Sequence, residues 1–423
     1  MLRAGASSLA AAAPCVPWSF LVYGILALSL LRQAGRLLHR LWWRPRRLER
    51  AQGLGGTPHR LLARDLRENA RMNREAWSRP LPLRCHDIAP RVAPFLCRNV
   101  REHGKQACLL WFGPVPRVVV ADPQVARDVL SNKFGHLEKP NFPALTKLLV
   151  DGVAGLEGEK WVKHRRILNP AFHVEKLKSM LPAFSACCDE LVSNWVESVK
   201  SSDGWYLPTK NNRRMHEINN EVSSLLRGLI EKRMQAMKEG ESHGKDDLLG
   251  LFLELNMRDT DEHGQSSLGM TIEDVIEECK LFYFAGMETT SVLLTWAMVL
   301  LCMHPEWQDR AKEEVFGLFG KNKPEYDGLS RLKILTMILH EVLRLYPPAI
   351  AISRKTYKEM EIGGVRPRTC IGQNFALLEA KMALSMILQR LEFELAPSYT
   401  HAPHTVITLH PMHGAQIKLK AVV

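Results

Sequence analysis

Two short stretches of this 423-residue chain carry residue types that can do chemistry. In the first, Glu288, Thr289, Thr290 and Ser291 interrupt an apolar run, and Glu288 is the only charged residue between positions 281 and 303. A carboxylate beside a hydroxyl in an apolar wall can organise water and deliver protons. Gly286, two positions earlier, costs up to about 1 kcal/mol inside a helix and lets another group approach the backbone. In the second stretch, Cys370 stands just ahead of a helical run over residues 373–391, where the helix dipole favours its thiolate. The nine cysteines form no C-x-x-C pair and no zinc-like spacing with histidine, so most read as reduced, buried thiols rather than a disulfide framework or a zinc site.

The polar notch needs a long helix to carry it. Thr271-Ile272-Glu273-Asp274 is a capping-box pattern that opens a helix, and His304-Pro305 stops it, so the helix is about 50 Å long at 1.5 Å per residue. Apolar nearly all round, it suits a buried central helix or a membrane span. A charge in mid-span costs a few kcal/mol in lipid, which favours the buried helix. Further helical patterns fill residues 123–199, 213–239, 306–319 and 334–346, while residues 109–121 carry a strand, turn, strand signal around Gly113-Pro114. The predicted fold is mainly α with a small β part. Trp161 and Arg165 stand four apart on one of these helices, and Glu341 and Arg344 stand three apart on another. By itself such an acid and base pair is a solvated ion pair worth a few tenths of a kcal/mol.

The formal net charge of +12 is local. Residues 32–107 hold eighteen lysines and arginines against six acids, which accounts for the whole excess. This basic stretch comes after residues 4–31, which are uncharged and apolar from Trp18 onward. The order predicts an N-terminal transmembrane anchor with its basic flank on the cytosolic side. A cleaved signal peptide is the rival, but its positive charge should precede the apolar core. A nucleic-acid-binding protein is disfavoured, because the charge surrounds an apolar span and no recognition motif accompanies it.

Ala285-Gly286-Met287-Glu288-Thr289-Thr290, the pair Glu341 and Arg344 followed by Leu345-Tyr346-Pro347-Pro348, and Arg368-Thr369-Cys370-Ile371-Gly372 together resemble the cytochrome P450 family of haem-thiolate monooxygenases. The phrases at residues 208–215 and 411–420 are similar to its plant, secologanin synthase-like branch. The resemblance implies haem b with its iron ligated by Cys370, a proton relay through Glu288 and Thr289, and cofactor binding by Trp161, Arg165, Arg354, Arg368 and Gly372. It implies electrons from NADPH through NADPH-cytochrome P450 reductase and a hydrophobic small-molecule substrate, terpenoid or hormone-like. It also implies single-pass attachment to the endoplasmic reticulum membrane, with residues 1–50 as anchor and flank and residues 51–423 as a cytosolic monooxygenase domain.

Departures from the family pattern are equally legible. The haem loop of the family reads aromatic, then G-x-G-x-R-x-C-x-G, whereas Gly363 stands at the aromatic position and Arg366 at the second glycine. Glu341 and Cys370 are only 29 positions apart, which leaves no room for the P-E-R-F segment whose arginine would join Glu341 and Arg344. A second join falls near residues 204–207, where lid helices stand in the family. The expectation is therefore an incomplete cytochrome P450 fold, with segments missing near 204–207 and 363–367. The alternative function is a catalytically inactive member unable to bind haem properly.

Overall fold

The computed structural model describes residues 18–39, 54–58, 64–104, 107–112, 115–131, 137–140, 151–200, 213–239, 248–262, 270–356 and 370–422. Both expected joins, with Gly363, Gly364, Arg366 and Arg368, lie outside these residues. In chain order the elements are α1 (Trp18–Leu38), α2 (Arg64–Trp77), α3 (Ala89–Val92), α4 (Pro94–His103), β1 (Ala107–Phe112), β2 (Val115–Val120), α5 (Pro123–Ser131), β3 (Leu137–Glu138) and α6 (Gly158–Leu168). A 3-10 turn (Asn169–Phe172) leads into α7 (Val174–Ser179), α8 (Leu181–Lys200), α9 (Arg213–Lys238), α10 (Leu248–Glu262), α11 (Ile272–Met303), α12 (Pro305–Phe319), α13 (Tyr326–Arg331) and α14 (Ile334–Leu345). The chain closes with β4 (Lys355–Thr356), α15 (Gln373–Arg390), β5 (Leu391–Leu395), β6 (Pro403–Thr405), β7 (Leu409–Pro411) and β8 (Ile417–Ala421). Helix dominates, and among the described residues every sheet is two-stranded.

The elements fall into two units. The smaller comprises residues 1–72 and 95–122. Its β1–β2 hairpin is the expected strand, turn, strand, in register from Ala107 opposite Val120 to Phe112 opposite Val115. Phe95, Cys108 and Leu110 are its buried centre. The buried carboxylate of Asp65 accepts from the Thr57 hydroxyl at 2.5 Å and from the Trp111 amide at 2.9 Å, so its burial leaves no orphaned charge. Apolar side chains of α1, among them Val22, Tyr23, Ile25, Leu26, Leu30 and Leu31, are exposed.

The larger unit, residues 73–94 and 123–423, is built around α11. Its start is the expected capping box: Thr271 Oγ1 accepts from the Asp274 amide at 3.1 Å, and Asp274 accepts from the Thr271 amide at 3.2 Å. Leu281, Val292, Leu293, Trp296, Val299 and Leu301 are buried. Helices α12, α14 and α15 and strand β5 pack on it, so its apolarity serves a protein core. Trp296 stacks on Tyr346 with ring centroids 4.4 Å apart. Tyr346 Oη in turn lies 3.0 Å from His401 Nε2 and 3.1 Å from His86 Nδ1.

A second tie holds the far end of α11. Glu278, fully buried, lies 2.7 Å from His164 Nδ1 on α6 and accepts from the Val153 amide at 2.8 Å. The loop can come this close only because residue 152 is glycine: a Cβ there would stand 2.6 Å from Glu278 Oε2.

Candidate functional site

The notch on α11 and the cysteine ahead of α15 are brought to one region by an aromatic cluster. Phe282, four residues before Gly286, sits 5.3 Å from Phe172 by ring centroids, and Phe172 sits 6.1 Å from Phe375, five residues after Cys370. Phe184 closes on Phe375 edge-on at 4.9 Å. These apolar side chains seek a shared dry environment, and their burial fixes the two elements against each other. Farther along, the carboxyl of Glu379 on α15 is pushed up by burial, with the Thr290 hydroxyl of α11 acting against that.

Cys370 is solvent-exposed, and Gly372 is the N-cap residue of α15, its carbonyl accepting from the Ala376 amide at 2.9 Å. Buried and partly buried cysteines elsewhere are poor thiolates: desolvation raises Cys108, pushes Cys188 up to about 11 and pushes Cys302 up to about 12. Arg165 is half-buried. Burial lowers its guanidinium pKa, and the nearby Cys370 acts against that without cancelling it. On α6, Glu157, Trp161 and Arg165 succeed one another at intervals of four from the N-cap, hence along one face over about 12 Å. At the Glu157 end lies Arg354, lowered by burial and raised by that carboxylate. Short pairing of β3 with β4, Glu138 opposite Lys355, brings the Arg354 segment there.

These residues fit a flat, dianionic, iron-bearing group. A thiol precedes a helix amino end, a guanidinium interacts with it, and a second guanidinium lies near the other end of the same helix face. A Cβ built on Gly286 or on Gly372 meets no atom within 4 Å, so there is room at both glycines. Haem would be held by Cys370, Trp161, Arg165 and Arg354; Arg368, expected beside them, lies outside the described residues.

Glu288 is partly buried and its carboxylate is turned to the β6–β7 hairpin. Oε1 accepts from Thr408 Oγ1 at 2.5 Å and lies 2.8 Å from His410 Nε2. Thr408 above all, and then His410, hold the carboxyl below the usual range against the opposing effect of burial. Thr289 donates instead to the Ala285 carbonyl at 2.6 Å, the local bond of a mid-helix threonine. The hairpin is fixed a little farther along α11, where Trp296 Nε1 donates to the Leu409 carbonyl at 2.7 Å. Glu341 and Arg344 form a two-pronged ion pair at 2.6 and 2.7 Å on an exposed face.

Sequence reasoning placed Glu288 in the site but missed Thr408 and His410. The only available signal was the C-terminal phrase around residues 411–420, read there as a branch marker. Nothing in the spacing from position 288 to position 410 announces a contact.

Comparison with known proteins gives a consistent picture. The sequence profile of the cytochrome P450 family matches residues 89–205 and 201–366. The chain is 46% identical to cytochrome P450 CYP72A616 of Paris polyphylla over 513 residues, covering 94% of this chain and 99% of that protein. It is 40% identical to cytochrome P450 CYP72A219 of Panax ginseng, with 92% of this chain and 96% of that one covered, and 39% identical to secologanin synthase 1 of Catharanthus roseus, with 92% and 95% covered. The first of these alignments is 513 residues long and this chain has 423, so at least 90 of its positions have no counterpart here. The two profile matches meet at residues 201–205 and end at 366, which are the places where the two joins are expected.

Proposed function

This chain belongs to the cytochrome P450 family and is a monooxygenase of the plant CYP72A kind; on that premise we propose that it oxidises a hydrophobic small molecule, terpenoid or hormone-like, with haem b ligated by Cys370. A relative named for making secologanin supports a small organic substrate. The single observation that carries the assignment is the place of Cys370 immediately ahead of the α15 amino end, with the half-buried Arg165 of α6 near enough to feel its charge. When bound, haem supplies the activation of dioxygen. The chain's own part is to present Cys370 at the amino end of α15, where a helix dipole favours a thiolate. Trp161, Arg165 and Arg354 offer an indole N–H and two guanidinium groups to propionates. Glu288 holds a proton-accepting oxygen in an apolar helix wall, where a proton is needed.

Electrons come from NADPH through NADPH-cytochrome P450 reductase. Helix α1, with its exposed apolar side chains, is the membrane anchor, and the arginines after it keep the rest of the chain on the cytosolic face of the endoplasmic reticulum. The same basic surface suits an acidic reductase or anionic lipid.

The test is the carbon-monoxide difference spectrum of the reduced full chain in membranes supplied with haem precursor. The band typical of thiolate ligation, lost in Cys370→Ala, supports the proposal. Its absence, while a full-length relative in the same membranes shows it, supports the rival reading of a haem-free relic. One observation favours that rival: Cys370 is exposed and the profile match ends four positions short of it.

A further inference from the structure

The contact between the C-terminal hairpin and α11 is more than a packing detail. Thr408 Oγ1 donates to Glu288 Oε1 at 2.5 Å, and His410 Nε2 lies 2.8 Å from both that carboxylate oxygen and the threonine hydroxyl. Since the threonine proton is already committed to Glu288, His410 Nε2 must carry a proton, shared between two acceptors. That tautomer leaves Nδ1 as the acceptor of the ring. The Glu288 side chain is 20% exposed and the His410 side chain 42%, so the imidazole stands on the solvent side of the carboxylate.

We propose that His410 is the solvent-side proton entry to Glu288 and that Thr408 positions the two for transfer. The proposal rests on the reading of Glu288 as the proton-delivering carboxylate. A proton from water binds Nδ1, giving the imidazolium. The Nε2 proton then passes to Glu288 Oε1, leaving the neutral Nδ1–H ring and a protonated carboxyl. Exchange with water returns the ring to its Nε2–H form, so each cycle moves one proton from bulk water to the carboxylate. The partners around the ring suit this task. Glu288 faces it from α11, and His404 is opposite it in the β6–β7 register. His404 is lowered by burial first, then by Arg91 and His410, which makes it a weaker base. Arg91 is committed to the Pro403 and Ala76 carbonyls.

The experiment uses the full chain in membranes. The carboxyl infrared band of Glu288, identified by its loss in Glu288→Gln, is titrated from pH 8 downward through its midpoint in the parent and in His410→Gln, whose amide keeps a hydrogen bond but cannot titrate. The expected result is a rise of the Glu288 midpoint by about one unit in His410→Gln, with Thr408→Val, which keeps the imidazole, shifting it in the same direction. An unchanged midpoint in both variants overturns the proposal. In haem-loaded protein, product formed per NADPH should fall roughly tenfold in His410→Gln, with the loss growing as pH rises. A loss equal at all pH values assigns His410 a structural role only and also overturns it. The infrared arm needs no haem, so a missing thiolate band defeats the oxygenase reading without touching the coupling of His410 to Glu288.

Discussion

His410 and Glu288, 122 positions apart in the chain, meet at 2.8 Å between imidazole Nε2 and carboxylate Oε1. With Thr408 at 2.5 Å from the same oxygen, this contact makes the last hairpin part of the α11 notch, and the stability of the unit should report on it. Because Glu288 is depressed below its ordinary value, its stabilising contribution is complete above that value and is lost as pH falls through the folded one. Thr408→Val should therefore cost about 1.5–3 kcal/mol at pH 7, the scale of a hydrogen bond to a charged group. The deficit should shrink on acidification, as read from urea unfolding at pH 7 and pH 4.

His401 adds an acid-side loss of its own, from a base rather than a carboxylate. Burial pushes it down to about 4, with His86 adding to the effect. It is therefore neutral in the core, bonded between Tyr346 and Tyr399 at 3.0 Å on each side. A histidine with a depressed folded value contributes stability above its unfolded value near 6.5 and loses it as pH falls toward the folded value. Unfolding free energy should drop by about 2 kcal/mol between pH 7 and pH 5 from this group. A His401→Gln variant, less stable at pH 7, should show a flatter pH dependence over the same window.

Gly152→Ala should be among the most damaging small substitutions. The new methyl would meet Glu278 Oε2 at 2.6 Å and Leu281 Cδ2 at 2.9 Å, in a place where a fully buried carboxylate is already committed to Val153 and His164. Overpacking of this kind costs about 1–3 kcal/mol. Thermal unfolding checks it, and an unchanged transition would mean that the loop does not sit on α11 as described.

Trp296→Phe should loosen the same hairpin from the other side. It removes the 2.7 Å bond to the Leu409 carbonyl and alters the stack on Tyr346, a loss of about 2 kcal/mol for a buried bond left unmade. Hydrogen exchange at residues 403–411 should quicken in this variant while α12 is unaffected.

Glu341→Ala should leave the melting temperature close to that of the parent. The pair with Arg344 is solvent-exposed on both sides, and exposed ion pairs contribute little. A large loss in thermal unfolding would show that the pair has a further partner.

Much of the helical framework is legible in the residue order alone. The α11 capping box and its His304-Pro305 stop are local, set by which side chains can satisfy free amides at a helix end, and the structure has Thr271 and Asp274 in those roles. The hairpin around positions 113–114 is equally local, and β1 and β2 differ from the expected strands by only a residue or two at their ends. The order of Trp161 and Arg165 on one helix comes from the 3.6-residue period.

By itself, then, the sequence determined the family, the central helix and the cysteine ahead of a helix, because each is written in neighbouring residues. Only the tertiary structure decided what faces Glu288, which guanidinium lies near Cys370, and why residue 152 must be glycine. Those pairings join residues more than a hundred positions apart, and no local pattern encodes them. They are set by how the apolar faces of α6, α11 and α15 and the last hairpin pack together, and packing answers to the whole chain at once.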